Sequence, residues 1–160
     1  MIVIFKLLLA TALVIIFVQD VKERQVYWFL FPLVGVCCGI LHFKSTLTEL
    51  FLTSCIINFS FILFLLMVVK VYSKFKLNLK LKDVFGLGDL FLFLALIFSF
   101  SSISFIITFI FSLLFSLVLH QFNYSKKNHN NVPLAGYMCL FYLFTYLGYW
   151  SGLIDSVYNI

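Results

Sequence analysis

Apolar residues along the chain fall into six segments that polar connections separate. In chain order these segments cover roughly residues 2–18, 26–42, 50–69, 88–100, 103–119 and 133–153. Most approach the roughly 20 apolar residues that a transmembrane helix needs. The pattern therefore predicts an all-α, polytopic integral membrane protein with about six transmembrane helices.

Composition agrees with this interpretation. Of 160 residues, 64% are hydrophobic and only 11% are charged, which is not the composition of a water-soluble globular protein. Six helices leave no room for a large soluble domain, so residues 1–160 are expected to form one membrane-embedded domain. The net charge of +5 indicates loop orientation and contact with membrane lipids, and we do not interpret it as a sign of nucleic-acid binding.

The positive charges predict the orientation. Short cytoplasmic loops are enriched in Lys and Arg. Nine of the eleven basic residues lie in the first, third and fifth connections: Lys22, Arg24, Lys70, Lys74, Lys76, Lys80, Lys82, Lys126 and Lys127. These connections are therefore expected in the cytoplasm, with both termini outside it. Lys6 departs from this rule, and a snorkelling side chain explains it.

Two aspartates stand at the edges of apolar segments on the predicted cytoplasmic side. Asp20 ends the first segment and Asp89 begins the fourth, directly after the glycines Gly86 and Gly88. Ionisable residues at membrane depth are costly and mark candidate functional sites. The fourth segment is short, which predicts a water-accessible cleft between the two aspartate helices. The structural alternatives are an N-cap role for Asp89 and an ordinary interfacial position for Asp20.

Aspartic proteases catalyse peptide hydrolysis with a pair of carboxyl groups. One ionised carboxylate takes a proton from water, and one protonated carboxyl polarises the scissile carbonyl; two close carboxylates do not readily ionise together. A helix N-terminus favours negative charge and a C-terminus disfavours it. This assigns Asp89 as the base and Asp20 as the acid, as a hypothesis.

Three sequence elements resemble a known family. They are GLGD at 86–89, Asp20 followed six residues later by the branched Val26, and VPLAG at 132–136. In this order, over nearly the whole chain, they resemble the type IV prepilin peptidases, which are GxGD-type membrane aspartic proteases. Presenilin-like enzymes share GxGD but carry Tyr before the first aspartate, where this chain has Gln19.

The resemblance implies an endopeptidase that removes the short basic leader of prepilin-like proteins at the cytoplasmic face of the inner membrane. Asp20 and Asp89 would be its catalytic pair, and Gly86 and Gly88 would give the loop before Asp89 its flexibility. Asp83 matches a position that is often acidic in the family. It is interpreted either as a contact for the basic leader or as a solvated loop charge.

The chain also departs from the family. Tyr27 and Trp28 follow Val26 where the family usually has Pro-Asn, and Phe91 replaces a Lys. These changes bear on specificity and activity. The zinc-binding domain of longer members, with its CxxC pairs, has no counterpart here, so N-methylation is not expected.

Other polar residues give no competing catalytic site. Cys37, Cys38, Cys55 and Cys139 lack zinc-site spacing and are expected to be buried reduced thiols, and His42, His120 and His129 to be interfacial or solvated. No cofactor or metal is predicted. The alternative function is that of a small transporter or assembly scaffold that uses the aspartates for proton or cation coupling.

Overall fold

The computed structural model describes residues 2–77, 86–124, 133–154 and 157–158. Regular structure in these residues is entirely helical, with no strand, so the all-α prediction is confirmed for them. Several predicted features lie outside the described residues: Asp83, His129, Val132 and the lysines Lys80, Lys82, Lys126 and Lys127.

One helix overlaps each of the six apolar segments. They are α1 (Ile2–Lys22), α2 (Leu30–Ser45), α3 (Thr48–Tyr72), α4 (Leu87–Leu96), α5 (Ser102–Tyr124) and α6 (Leu134–Trp150). A short π-helical stretch, Ser73–Leu77, continues α3. Helix α1 runs on to Lys22, and Arg24 then takes a left-handed conformation (φ 55°). Residues 25–29 form the connection, so α2 begins four residues after the start of its apolar segment.

Length separates the helices into two classes. Three described stretches are long and apolar enough to cross a membrane: Ile2–Lys22, Thr48–Phe75 and Ser102–Phe122. By contrast, α2 has 16 residues and α4 only 10. At 1.5 Å per residue α4 is about 15 Å long, half of a hydrocarbon core of about 30 Å. The apolar helices thus indicate a membrane protein, with three spans that meet the length requirement.

The helices pack around one apolar core. Helix α1 packs against α2 and α6, α6 also packs against α5, and α2 packs against α4. Among the fully buried side chains are Leu13, Ile16, Phe93, Phe100 and Tyr142. Helices α2 and α4 approach closely at Gly35, where a Cβ would stand 3.4 Å from the Ala95 Cα. Small residues at such a contact are typical of helix packing in membranes.

The serine cluster between α4 and α5 differs from its prediction as a polar connection. Ser99 and Ser101 are buried, as are their apolar neighbours Ile97 and Phe100. The Ser99 backbone N–H and hydroxyl both donate to the Leu96 carbonyl, at 2.9 and 2.6 Å. The chain therefore breaks its helix inside the bundle, and the serines satisfy backbone groups there.

His42 also differs from its prediction as an interfacial or solvated residue. It is fully buried, and its ring lies between the rings of Phe51 (centroids 5.1 Å apart) and Tyr158 (5.3 Å). Aromatic packing takes it out of contact with solvent. The cysteines are free thiols, with Cys37, Cys38 and Cys139 buried and Cys55 half-buried.

Candidate active site

Three helix ends meet at one end of the bundle: the C-terminus of α1 and the N-termini of α4 and α6. Asp20 lies in the last turn of α1 and Asp89 in the first turn of α4. Both side chains bond to the first turn of α6, across 116 and 46 residues of sequence respectively. The structure therefore brings the two predicted site residues together, at the end of the bundle where the first, third and fifth connections begin or finish.

Two consecutive backbone N–H groups of α6 bind the two carboxylates. The Ala135 N–H donates to Asp89 Oδ1 at 2.9 Å, and the Gly136 N–H donates to Asp20 Oδ2 at 2.6 Å. The first N–H groups of a helix have no partner within the helix, and its dipole favours negative charge there. One helix N-terminus thus supplies hydrogen bonds to both side chains.

This arrangement limits the separation of the carboxylates. Since the two amide nitrogens are neighbours along the backbone, bond lengths bring the bonded oxygens of Asp20 and Asp89 within roughly 10 Å of each other. The two groups are close enough for the charge of one to act on the other. Both side chains are half-buried. Carboxylates in this situation titrate as a pair, and sharing one proton avoids placing two negative charges together.

The second oxygen of Asp89 has a local role. Its Oδ2 accepts from the Gly86 N–H at 3.1 Å, as the third residue of a capping box does. The alternative prediction of Asp89 as the N-cap is therefore wrong, since Gly86 occupies that position. Asp89 stabilises its own helix through one oxygen and contacts α6 through the other.

The predicted glycine loop before Asp89 is shorter than expected. Gly86 is non-helical, but Gly88 lies inside the first turn of α4, so its prediction as a loop residue is wrong. Neither residue has a positive φ. A Cβ at Gly88 would meet the Phe31 ring at 3.5 Å, an ordinary contact, so its backbone does not require glycine.

Gly136 is the glycine that the site does require. A Cβ there would stand 3.0 Å from the Asp20 Cβ, 3.1 Å from its Oδ2 and 3.3 Å from the Phe17 carbonyl oxygen. Because Gly136 has no side chain, α1 can come close enough for Asp20 to reach the α6 backbone. In the sequence this position stands out only as part of VPLAG, which does not predict its contact with Asp20.

Cys139 forms part of the buried surroundings of the pair. It lies on α6 one turn after Gly136, is fully buried, and is near enough to Asp20 and Asp89 to interact electrostatically with both. Its sequence context predicts only a buried reduced thiol. On the exposed side, Arg24 lies beyond the end of α1 and its charge acts on Asp20.

The departures from the family pattern lie close to the site in sequence and are exposed. Tyr27 is 62% exposed and Trp28 73% exposed, in the turn that leads into α2. Phe91 is 49% exposed and stacks on Phe31, with ring centroids 6.2 Å apart. These side chains present aromatic surface beside the two aspartates in the sequence.

An apolar groove in the described part of the chain lies away from the predicted cleft. It lies between α2 and α4, has a volume of about 540 Å³, and is lined by side chains such as Pro32, Val36, Phe91 and Leu94. Neither aspartate lines it. The carboxylates instead reach the surface directly at the end of the bundle, where their half-exposed side chains lie beside α6.

The chain matches no family model, no curated protein and no solved structure.

Proposed function

We propose that the chain is a membrane aspartic endopeptidase of the prepilin-peptidase type, with Asp20 and Asp89 as its catalytic pair. The observation that supports this most directly is the binding of both carboxylates to adjacent N–H groups of α6. Two acidic side chains from distant parts of the sequence converge on one helix end and stay half-exposed. A proton-sharing carboxylate pair reached by water is the arrangement that aspartic proteases use to hydrolyse peptides.

In the proposed reaction the ionised carboxylate takes a proton from water, and the resulting hydroxide attacks the scissile carbonyl. The protonated carboxyl donates a hydrogen bond to the carbonyl oxygen as negative charge develops there. Collapse of the tetrahedral intermediate breaks the C–N bond, and the leaving amine takes a proton from the pair. The α6 N–H groups keep both side chains aimed at the same point throughout.

Two features act in opposite directions on which carboxylate is ionised. Asp89 accepts two backbone N–H bonds and Asp20 one, which favours Asp89 as the base. Nearby charges favour the ionised form of Asp20 instead, because the positive charge of Arg24 acts on Asp20 and the negative charge of Asp20 opposes the ionisation of Asp89. We assign Asp89 as the base, and the pH dependence of the rate tests this assignment below.

We further propose that all six helices are embedded in the inner membrane, with the first, third and fifth connections in the cytoplasm. Because the ends of α1, α4 and α6 converge, these three connections are expected on the same side of the membrane. The lysines in the connections favour the cytoplasmic side. Substrates would be proteins with a basic leader followed by an apolar helix. The leader would then meet the aspartates at the cytoplasmic surface while the helix remains in the bilayer.

Processing of a prepilin-like substrate tests the proposal. The protein is co-expressed with a substrate that has a basic leader, a glycine before the scissile bond and an apolar helix, and the gel shift of the substrate is followed. We expect cleavage by the parent and no gel shift detectable over the same time for Asp20→Asn or Asp89→Asn. Glu23→Gln is the matched control, because Glu23 is an exposed carboxylate at the same end of the bundle.

Each outcome separates the peptidase from the alternative. Cleavage that survives Asp20→Asn or Asp89→Asn contradicts the catalytic pair. A parent that leaves the substrate intact, but moves protons or cations across vesicles in a way that depends on Asp20 and Asp89, supports the transporter instead. Loss of cleavage in Glu23→Gln as well would indicate a general effect of charge at this end.

A further inference from the structure

Helix α4, which contains Asp89, ends in the interior of the bundle. It has only 10 residues, and the break that follows it is buried, with Ile97 4% exposed and Phe100 fully covered. A helix end leaves carbonyl groups without intrahelical partners, and no water is present at membrane depth to bind them. The position of α4 therefore depends on which groups satisfy these carbonyls.

Asn58 of α3 provides that interaction. Its side-chain Nδ2 donates to the Ile97 carbonyl at 2.9 Å and to the Phe100 carbonyl at 3.1 Å. An amide nitrogen has two N–H groups, so both are used on this break. Asn58 is itself fully buried. A single side chain thus connects α3 to both sides of the break between α4 and α5.

The N-terminal end of α4 contains Asp89, one of the two proposed catalytic residues. Asp89 precedes Ile97 by eight residues, about 12 Å along a helix. A helix of this length moves as a rigid unit, so a shift at its buried end also moves Asp89. The 2.9 Å bond from the Ala135 N–H to Asp89 Oδ1 leaves little room for such a shift.

We propose that Asn58 is a positioning residue for Asp89: by fixing the buried end of α4 it sets the place of that carboxylate relative to Asp20 and α6. This inference rests on the proposed function. Asn58 does not touch the carboxylates, so it acts through α4. A displacement of a reacting group by about 1 Å lowers turnover by up to about 100-fold, while substrate binding at the surface is unchanged.

The test is steady-state cleavage by the purified full chain of a synthetic peptide with a basic leader, a glycine and an apolar helix. Asn58→Leu keeps the side-chain size and removes both donors. We expect its kcat to fall on the order of 10- to 100-fold, with KM unchanged. Asn58→Gln keeps two donors and should recover most of the lost kcat.

A control variant separates positioning from general loss of stability. Ile62→Ala opens a cavity on the same helix, since Ile62 is 1% exposed, but it leaves the α4 carbonyls bonded. At a temperature where both variants are folded, Ile62→Ala should keep the parental kcat. If Asn58→Leu does not accumulate, Asn58→Ser, which keeps one donor, is measured instead and should show an intermediate kcat.

The outcomes distinguish failure of the positioning role from failure of the proposed function. If Asp20→Asn and Asp89→Asn abolish cleavage but Asn58→Leu turns over like Ile62→Ala, the positioning role is overturned and the proposed function stands. If the aspartate variants keep the parental rate, the proposed function itself is overturned. A change in KM alone for Asn58→Leu, or no recovery in Asn58→Gln, also contradicts the positioning role.

Discussion

Two polar regions of the bundle use their hydrogen bonds in different ways. At one end, Asp20 and Asp89 are half-buried and bonded to the backbone of α6. At the break between α4 and α5, Asn58, Ser99 and Tyr146 are fully buried and bonded mainly to backbone carbonyls. The first region leaves ionisable oxygens within reach of water. In the second region the polar side chains are hydrogen-bonded to the backbone and stabilise the fold. A polar residue in a membrane bundle therefore indicates a function only once its hydrogen-bond partners are known.

The largest predicted difference between the regions is the effect of removing a carboxylate. Asp89→Asn keeps one oxygen, which can accept from the Ala135 N–H, but its NH2 group cannot accept from the Gly86 N–H. We therefore expect a small loss of stability with the fold retained. Catalysis loses its base, and we expect the cleavage rate to fall about 10²- to 10⁴-fold. Initial rates and thermal unfolding in detergent are measured on the same preparation. A cleavage rate equal to the parental rate within error would show that Asp89 has only a structural role.

A smaller effect is expected from Gly136→Ala, which tests the approach of α1 to α6. The new Cβ would be 3.0 Å from the Asp20 Cβ, so α1 must move and the 2.6 Å bond to Asp20 lengthens. We expect a rate loss on the order of 10- to 100-fold. In the control, Gly39→Ala, the new Cβ would meet its nearest neighbour, Phe98, at an ordinary 3.6 Å, and the rate should be near the parental value. Equal rates for the two variants would show that close approach at Gly136 is unimportant.

The pH dependence sharpens the assignment within the pair. Arg24→Gln removes a positive charge that acts on Asp20, so Asp20 should keep its proton to a higher pH. If Asp20 is the acid, the basic limb of the pH–rate profile moves to higher pH and the acidic limb stays in place. Cleavage rates across the pH range measure this shift. Movement of the acidic limb alone would instead identify Asp20 as the base.

The smallest predicted effect belongs to the buried region. Tyr146→Phe removes a hydroxyl that contacts Cys38 Sγ at 3.2 Å and the Ser99 carbonyl at 3.4 Å. We expect the free energy of unfolding to fall by about 0.5–1.5 kcal/mol, with an unchanged cleavage rate. Reversible unfolding in mixed micelles checks the first expectation, and initial rates check the second. A large loss of cleavage rate without a loss of stability would show that the buried region also contributes to catalysis, and would contradict its purely structural role.

The sequence alone predicted the helices and the aspartates for the same physical reason. Apolar segments of helical length must be buried in lipid, and a carboxylate at the edge of such a segment is costly enough to be conspicuous, as at Asp20 and Asp89. The sequence also predicted the same end of the bundle for both aspartates, because two helices separate them and the basic residues cluster in the odd-numbered connections. Their contact with one helix end is seen only in the structure. These predictions need only the residue types and their spacing along the chain.

The remaining features depend on tertiary contacts that residue type does not reveal. Ala135 and Gly136 act through backbone N–H groups, which every residue except proline possesses, so nothing in their identity announces a carboxylate partner. Ser99 appears polar in sequence but is buried, because the broken helix end needs hydrogen bonds. Asn58 likewise lies in an apolar segment whose pattern does not indicate which helix it contacts.

The central claim is that Asp20 and Asp89 form one site, and cross-linking measures this directly. In a chain whose four native cysteines are replaced by serine or alanine, Asp20→Cys and Asp89→Cys are combined with a protease site inserted between α2 and α3. A bifunctional thiol reagent that spans roughly 10 Å is added to membranes before proteolysis. We predict that the two fragments stay covalently joined, whereas Asp20→Cys with Ser151→Cys, at opposite ends of the bundle, yields separate fragments. Separate fragments from the Asp20 and Asp89 pair would contradict the account.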